Sequence, residues 1–388
     1  MISLATADSV LKSFFLGVLA NELNTSVNPL LARMEQTTSD VWGKEIRKIA
    51  FNGIYGGIGA GTEVGDLPNA SNSSYIQLVL PLKNLYGSID ISDKALRASQ
   101  HSDGAFVNLL ESEMDALLRA SKYNFSRMLF GDGTGTLCKV TSASNLDFYV
   151  DDVTNVMEGM LIDVVSGTTK TPVVTSRLIA AIDRKNKKVS VAGSSISAGT
   201  VSAGDIITVQ GSYNNEITGL GAIFGDSAKL YNVARSGRKW MQPHKVTSAK
   251  LDDITIQTAI DTVDEVAGST VDFIVCSSGV KRAYQDYLVN NRTNIDVMHL
   301  QGGYKAISYN GIPVVSDRFC PAGTMYILNT NDFHMHQLCD WRWLEDDSGR
   351  ILKQIPGRPV YNATLVKYCD IMCDRPLGQA MISGITEA

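Results

Sequence analysis

One stretch constrains the fold more than any other. After Ser102 or Asp103, either of which suits an N-cap, Phe106, Leu109, Leu110, Met114, Leu117, Leu118, Phe125, Met128 and Leu129 keep one helical stripe until Gly131. At about 1.5 Å per residue such a helix runs to about 40 Å, unusually long for a globular protein. It is expected to serve as a structural spine. The Gly131-Asp132-Gly133-Thr134-Gly135 cluster that follows reads as a tight turn. It is not an aspartic-protease loop, because that chemistry needs two carboxylates sharing a proton, and the chain has neither the Asp-Thr/Ser-Gly sequence here nor a second copy.

Ahead of the helix, FNGIYGGIGAGTEVG (51–65) carries six glycines. It leads through DLPNASNSS into two apolar runs, YIQLVLPL and GSIDIS, expected to be the two strands of a projecting hairpin. A phosphate loop would end in Gly-Lys-Ser/Thr, and none is present. A dinucleotide fingerprint would be followed by a helix, whereas Pro68 and a Ser/Asn run follow here. A flexible loop fits the glycines better.

Beyond the helix the character changes. From about Cys138 to Gly211, Val, Thr, Ser, Gly and Ile dominate, and SRLIAAID, KKVSVAG and GDIITVQG alternate, which predicts a small antiparallel β domain. Arg184, Lys185, Lys187 and Lys188 fall at a hairpin tip without aromatic residues for base stacking, so they read as a solvated turn. After Asn215, LDDITIQTAIDTVDEVAG predicts a helix capped by Thr247 or Ser248. DFIVCS predicts a buried strand, and SGVKRAYQDYLVNN a helix capped by Ser277 or Ser278. KAISYN, IPVVSD, TMYILNT, FHMHQLC and VYNATLVKYCDIMCD predict further strands, so this half is α+β.

Composition narrows the function. The 388 residues are 44% apolar, which excludes disorder, and no run approaches the ~20 apolar residues of a membrane span. Only 19% are charged, fewer than the ~25% usual for soluble domains, as expected of a chain that buries surface against other subunits. A net charge of -5 argues against a general phosphate-binding field. Near the start, Val10, Leu11, Phe14, Phe15, Val18 and Leu19 recur at helical spacing. No basic residue precedes Lys12 and Asp8 is acidic, so this is expected to be an amphipathic helix and not a signal peptide.

The six cysteines are scattered without a CxxC pair, which fits reduced thiols. His334, His336 and Cys339 have a metal-like look. In a strand, however, Cys339 faces away from the two histidines, and two more ligands would be needed, so neither a metal nor a catalytic role is expected. No GxSxG elbow or local Cys-His signature is present, and no cofactor is expected.

The order of these pieces resembles one family. A Gly-rich hairpin returning through PLKNLYGSIDISDKALRAS, a long helix ending in FGDGTG, and an α+β half containing NGIPVVSDRFCPAGTMYILN are similar to the major capsid proteins of tailed double-stranded DNA phages, the Hong Kong 97-type capsid family. The likeness covers about 51–135 and 216–385, and the N-terminal arm fits by position.

The resemblance implies an α+β capsid fold with an N-arm (1–52), an extended loop (53–88) and a peripheral domain with a spine helix (89–137). It further implies a mainly axial domain (212–340), peripheral return strands (341–375) and a C-terminal axial segment (376–388). The β-rich stretch (138–211) interrupts the passage from GDGTG to Thr218-Gly219-Leu220, and so reads as an inserted all-β domain.

The family's function would be that of a shell subunit forming pentamers and hexamers of an icosahedral head, assembled in the host cytoplasm. Such a shell encloses double-stranded DNA without sequence-specific binding, works with portal, scaffolding and decoration proteins, and has no membrane. Candidate subunit contacts are Phe14, Phe15, Tyr55, Glu63, Tyr75, Leu80 and Lys83, and the spine-helix core is Phe106, Leu110, Leu117 and Phe125. The alternatives are an encapsulin-like shell packaging enzyme cargo, and a hydrolase with a Gly-rich lid, which would need a pocket of convergent titratable groups.

Overall fold

A 28-residue helix, Asp103–Phe130, forms where the stripe requires it and stops at Gly131. The computed structural model describes residues 28–51, 57–63, 65–66, 69, 72, 75–94, 103–290, 297–299, 305–346 and 349–388, with backbone alone at 51, 103–112, 297–299 and 305. Met114, Phe125, Met128 and Leu129 of the helix are buried, and Leu117 and Leu118 pack half-buried against the same core. Phe106 and Leu110 lie where side chains are outside the described residues.

The surface that receives the helix is a five-stranded sheet built on the 14-residue strand Val360–Cys373. Lys83–Ser92 and Phe333–Trp343 pair with it antiparallel. Lys83–Ser92 alternates cleanly, with Leu85, Gly87, Ile89 and Ile91 inward. Gly87 lets the helix approach: a Cβ there would come within 2.8 Å of Leu117 Cδ1.

Strand pairing in the hairpin differs from expectation. Tyr75–Pro81 pairs not with GSIDIS but with Glu45–Phe51, inside the stretch read as the arm, and GSIDIS belongs to Lys83–Ser92 in the main sheet. The cause is the register Ile46↔Leu80, Lys48↔Leu78 and Ala50↔Ile76, which puts one apolar face onto Leu230, Tyr231, Val233, Met241 and Met372.

The β-rich stretch is a closed six-stranded barrel with every pairing antiparallel, from Thr136–Ser144 to Ile206–Val209. Val140, Phe148, Ile162, Val164, Val189 and Ile207 fill it. Two buried aspartates tie its turns: Asp163 accepts from Ser176 N and Gly211 N, and Asp205 from Gly167 N and Ser202 N. Its two ends meet, with Asn214 N donating to Thr134 O at 2.9 Å.

The remaining half is a seven-stranded mixed sheet in the order His244–Thr247, Ala380–Ser383, Met325–Leu328, Phe273–Cys276, Ile312–Ser316, Lys305–Tyr309, Val297–His299. Helices Asp253–Ala267 and Ser278–Asn290 pack on it. The first helix is capped by Asp252, whose side chain accepts from Thr255 N at 2.8 Å, and not by Thr247 or Ser248. Thr247 is instead paired in register with Ser383. Ser277 caps the second helix by accepting from Val280 N.

Candidate assembly surfaces

Residues directly opposite one another in an antiparallel pair share a face. The inner face of the hairpin is buried in the chain's own core. Its outer face carries Glu45, Arg47, Ile49, Gln77, Val79 and Tyr75, with Trp42 opposite Glu45. Trp42 is 68% exposed, Ile49 65% and Tyr75 57%. Three large apolar groups on one face of a small three-stranded sheet exceed the scattered exposure normal for a surface. Ile58, on the Gly-rich loop, is 81% exposed, and Glu63 nearby is exposed.

The nominated contact residues divide accordingly. Tyr75 and Glu63 face outward. Leu80 points inward and is buried beside Ile46 and Met241, so it has no free face for a neighbour. Lys83 donates from Nζ to Asn214 O at 2.7 Å, tying the main sheet to the foot of the barrel. Phe14, Phe15 and Tyr55 lie outside the described residues. Trp42, Ile49 and Ile58 were not nominated from sequence, although the alternation of EIRKIAF places Ile49 opposite to Ile46.

In the helix, Phe125 sits edge-to-face with Trp341, centroids 6.2 Å apart. Arg127 forms a bidentate pair with Glu216, Nη1 to Oε2 at 2.9 Å and Nη2 to Oε1, with side chains 4% and 2% exposed. This pair lies where the helix meets the returning end of the barrel. The basic cluster at the barrel hairpin is used within the barrel: Lys187 Nζ donates to Asp151 O, Arg184 to Val153 O, and Lys188 pairs with Asp147.

A cleft beside the barrel foot gathers Arg127, Asp317, Arg318 and Glu387, yet each is already engaged. Asp317 accepts from Asn28 and from Phe319 N, and Glu387 from Ser277 Oγ and Gly323 N. The Arg318 guanidinium lies over the Tyr123 and Phe319 rings. Burial pushes the Cys276 and Cys369 thiols up to about 12 and raises Cys138, Cys320 and Cys373 as well, the reverse of what a nucleophilic thiolate needs. Among the described residues no group of three or more His, Cys, Asp or Glu is placed to hold a metal, and no helix is long and apolar enough to cross a membrane.

No protein-family model and no curated protein matches the chain. Among solved structures it is similar to the cyanophage A-1(L) capsid asymmetric unit, with a TM-score of 0.54 and 14% identity over 97% of this chain and 93% of that one. The holo-SrpI encapsulin complex from Synechococcus elongatus PCC 7942 follows at 0.49 and 9% identity, over 93% and 89%. The Mycobacterium phage Bobi structure follows at 0.45 and 11%, over 99% of each chain. The fold is therefore the capsid fold of the Hong Kong 97 type.

Proposed function

We propose that this chain is the shell subunit of an icosahedral phage head, assembling with copies of itself into pentamers and hexamers around double-stranded DNA in the host cytoplasm. The observation that carries this is the hairpin outer face. In a chain with the capsid fold, Trp42, Ile49 and Tyr75 are exposed, among the described residues, on one face of a hairpin whose other face is packed into the chain's own core. An exposed apolar face of that kind gains burial when a neighbouring copy covers it, and the contacts of many copies then add up.

On this reading the residues ahead of Glu45 act as arm, the hairpin Glu45–Phe51 and Tyr75–Pro81 with its Gly-rich loop as extended loop, the Asp103–Phe130 helix with its sheet as peripheral domain, and the seven-stranded sheet as axial domain. The barrel is an addition to the family plan, suited to stabilising or decorating the shell. Portal, scaffolding and decoration proteins would be its partners.

Electron microscopy of the purified full-length protein tests the proposal. Closed particles of uniform diameter are expected, and monomers at high concentration would count against it. Particles isolated from the native host should hold nuclease-protected double-stranded DNA. Enzyme cargo in its place would make the shell a compartment of the encapsulin kind.

A further inference from the structure

We propose that the base of the hairpin is an acid-responsive latch, in which protonation of His336 loosens residues 35–51 from the main sheet. This concerns the subunit itself and does not depend on shell assembly. The three-residue strand Glu35–Thr37 runs parallel to Phe333–Trp343 with Glu35↔His334 and Thr37↔His336 in register. The chain then turns at Ser39 and enters the hairpin, which carries Lys48 back over the same face. So short a strand is held chiefly by what surrounds it.

His336 is 1% exposed, and its Nδ1 lies 2.9 Å from the Ser39 carbonyl oxygen. The neutral ring therefore donates from Nδ1, and Nε2 is left buried without a partner. A second proton would create an N–H at Nε2 with nothing to accept it. It would also add positive charge beside Lys48 and beside the His334 ring, 6.1 Å away. Asp374, the nearby carboxylate, is engaged through Oδ2 by Lys48 Nζ at 2.5 Å, and its Oδ1, buried without a partner, makes no hydrogen bond to His336 Nε2.

Burial is the largest influence and holds the His336 pKa below the ordinary imidazole value. Lys48 and His334 act in the same direction, against the Ser39 carbonyl and Asp374. Asp370, opposite His336 in register, spends its carboxylate on Thr218 N, Thr218 Oγ1 and Ile371 N. His334 is placed differently: Nε2 lies 3.5 Å from Glu35 Oε2 and Nδ1 3.4 Å from Asp374 Oδ2.

The sign follows from linkage. Once the latch opens, His336 titrates in water near its ordinary value of about 6.5, whereas closed it resists the proton. The closed state keeps its full advantage above about pH 6.5 and loses it as pH falls through that value, by up to about tenfold at about pH 5.5. Asp370 cannot mimic this effect, because a buried carboxyl with a raised pKa favours the closed fold on acidification.

Hydrogen exchange of the full-length protein, in one verified assembly state, would compare about pH 7.5 with about pH 5.5 after correction for intrinsic rates. Amides of 35–51 should lose up to about tenfold protection, while those of the barrel should not change. His336→Gln should flatten the drop. Unchanged protection in the wild type, or a full drop in His336→Gln, would overturn the proposal. Should that variant fold poorly, a carbon-13 titration of His336 in the wild type decides: a pKa at or above about 6.5 refutes the latch.

Discussion

Glu216→Gln removes the charge from the most deeply buried ion pair among the described residues and leaves its shape. Arg127 reaches Glu216 from the last turn of the long helix, and both guanidinium bonds go to that carboxylate. Its remaining Nε is buried without a partner, so no second acceptor stands by to take the charge. Removing one member of such a pair strands the other, which costs about 3–5 kcal/mol. Domains are stable by roughly 5–15 kcal/mol, so the loss is about a fifth or more of the total. Urea unfolding of the purified full-length chain, followed by tryptophan fluorescence, measures it through the shift in midpoint at constant slope.

The double change Arg127→Met, Glu216→Leu should recover most of the loss, since it leaves no buried charge behind. Two results would refute the reasoning. One is a Glu216→Gln variant within about 1 kcal/mol of wild type, which would mean that water reaches the pair. The other is a double variant as unstable as the single.

Other expectations follow from the same structure. Trp42→Glu combined with Ile49→Glu should leave subunit stability within about 0.5 kcal/mol and abolish particles seen by electron microscopy; intact shells would show that this face is not an interface. Deleting 57–72 should do the same while sparing both hairpin strands, whereas deleting all of 53–88 would also remove Tyr75–Pro81 and more than half of Lys83–Ser92 and should unfold the subunit. Burial pushes the Asp370 carboxyl up to about 7 against its hydrogen bonds from Thr218 and Ile371. A carboxyl raised on folding stabilises most below its ordinary range and loses that contribution as pH rises through about 7, so the urea midpoint should fall between about pH 6 and about pH 8, and Asp370→Asn should flatten that slope.

Local pattern was legible and distant pairing was not. The helix stripe with its stop at Gly131 and the barrel strands are encoded within a few residues of where they act. The first hairpin strand was missed because Lys48 interrupts its apolar alternation on the inward face. The group that makes an inward lysine tolerable, Asp374, is 326 residues away. The same holds for Lys367, fully buried in the central strand beside Asp340 and over the Trp341 ring, and for Asp370, held by Thr218. In sequence each looks like a polar residue due for solvent. The cap at Asp252 was mislaid because Thr247 and Ser248 are equally good caps, and only the pairing of Thr247 with Ser383 withdraws them. Among the contact candidates, Leu80 is buried for a related reason: the face a strand turns outward is fixed by its partner.

The barrel's independence can be argued from both sides of its junction. Its core cluster draws only on residues between Leu137 and Val209, so nothing in the body is needed to fill it. The body is equally closed without it. A Cβ on Gly219 would come within 2.4 Å of Met128 O and 2.6 Å of Leu129 O and Gly131 O, so the helix end and the returning segment are already in backbone contact. Gly135, at φ 80°, stands with its Cβ position 2.7 Å from Ser212 O, which brings the two strands of the stem together. Insertions are tolerated where two chain ends meet at a surface in this way. A fragment must start before Thr136, because Leu137 is buried in the barrel and Thr136 pairs with Thr208. Residues 134–212 expressed alone should therefore give a cooperative β-rich fold, and the chain with 136–211 replaced by a short Gly-Ser bridge should keep the Arg127–Glu216 pair and the body. If the bridged chain fails to fold while the fragment succeeds, the stem belongs to the body's core; if the fragment fails while the bridged chain folds, the barrel depends on contacts such as Tyr123 Oη to Thr154 O.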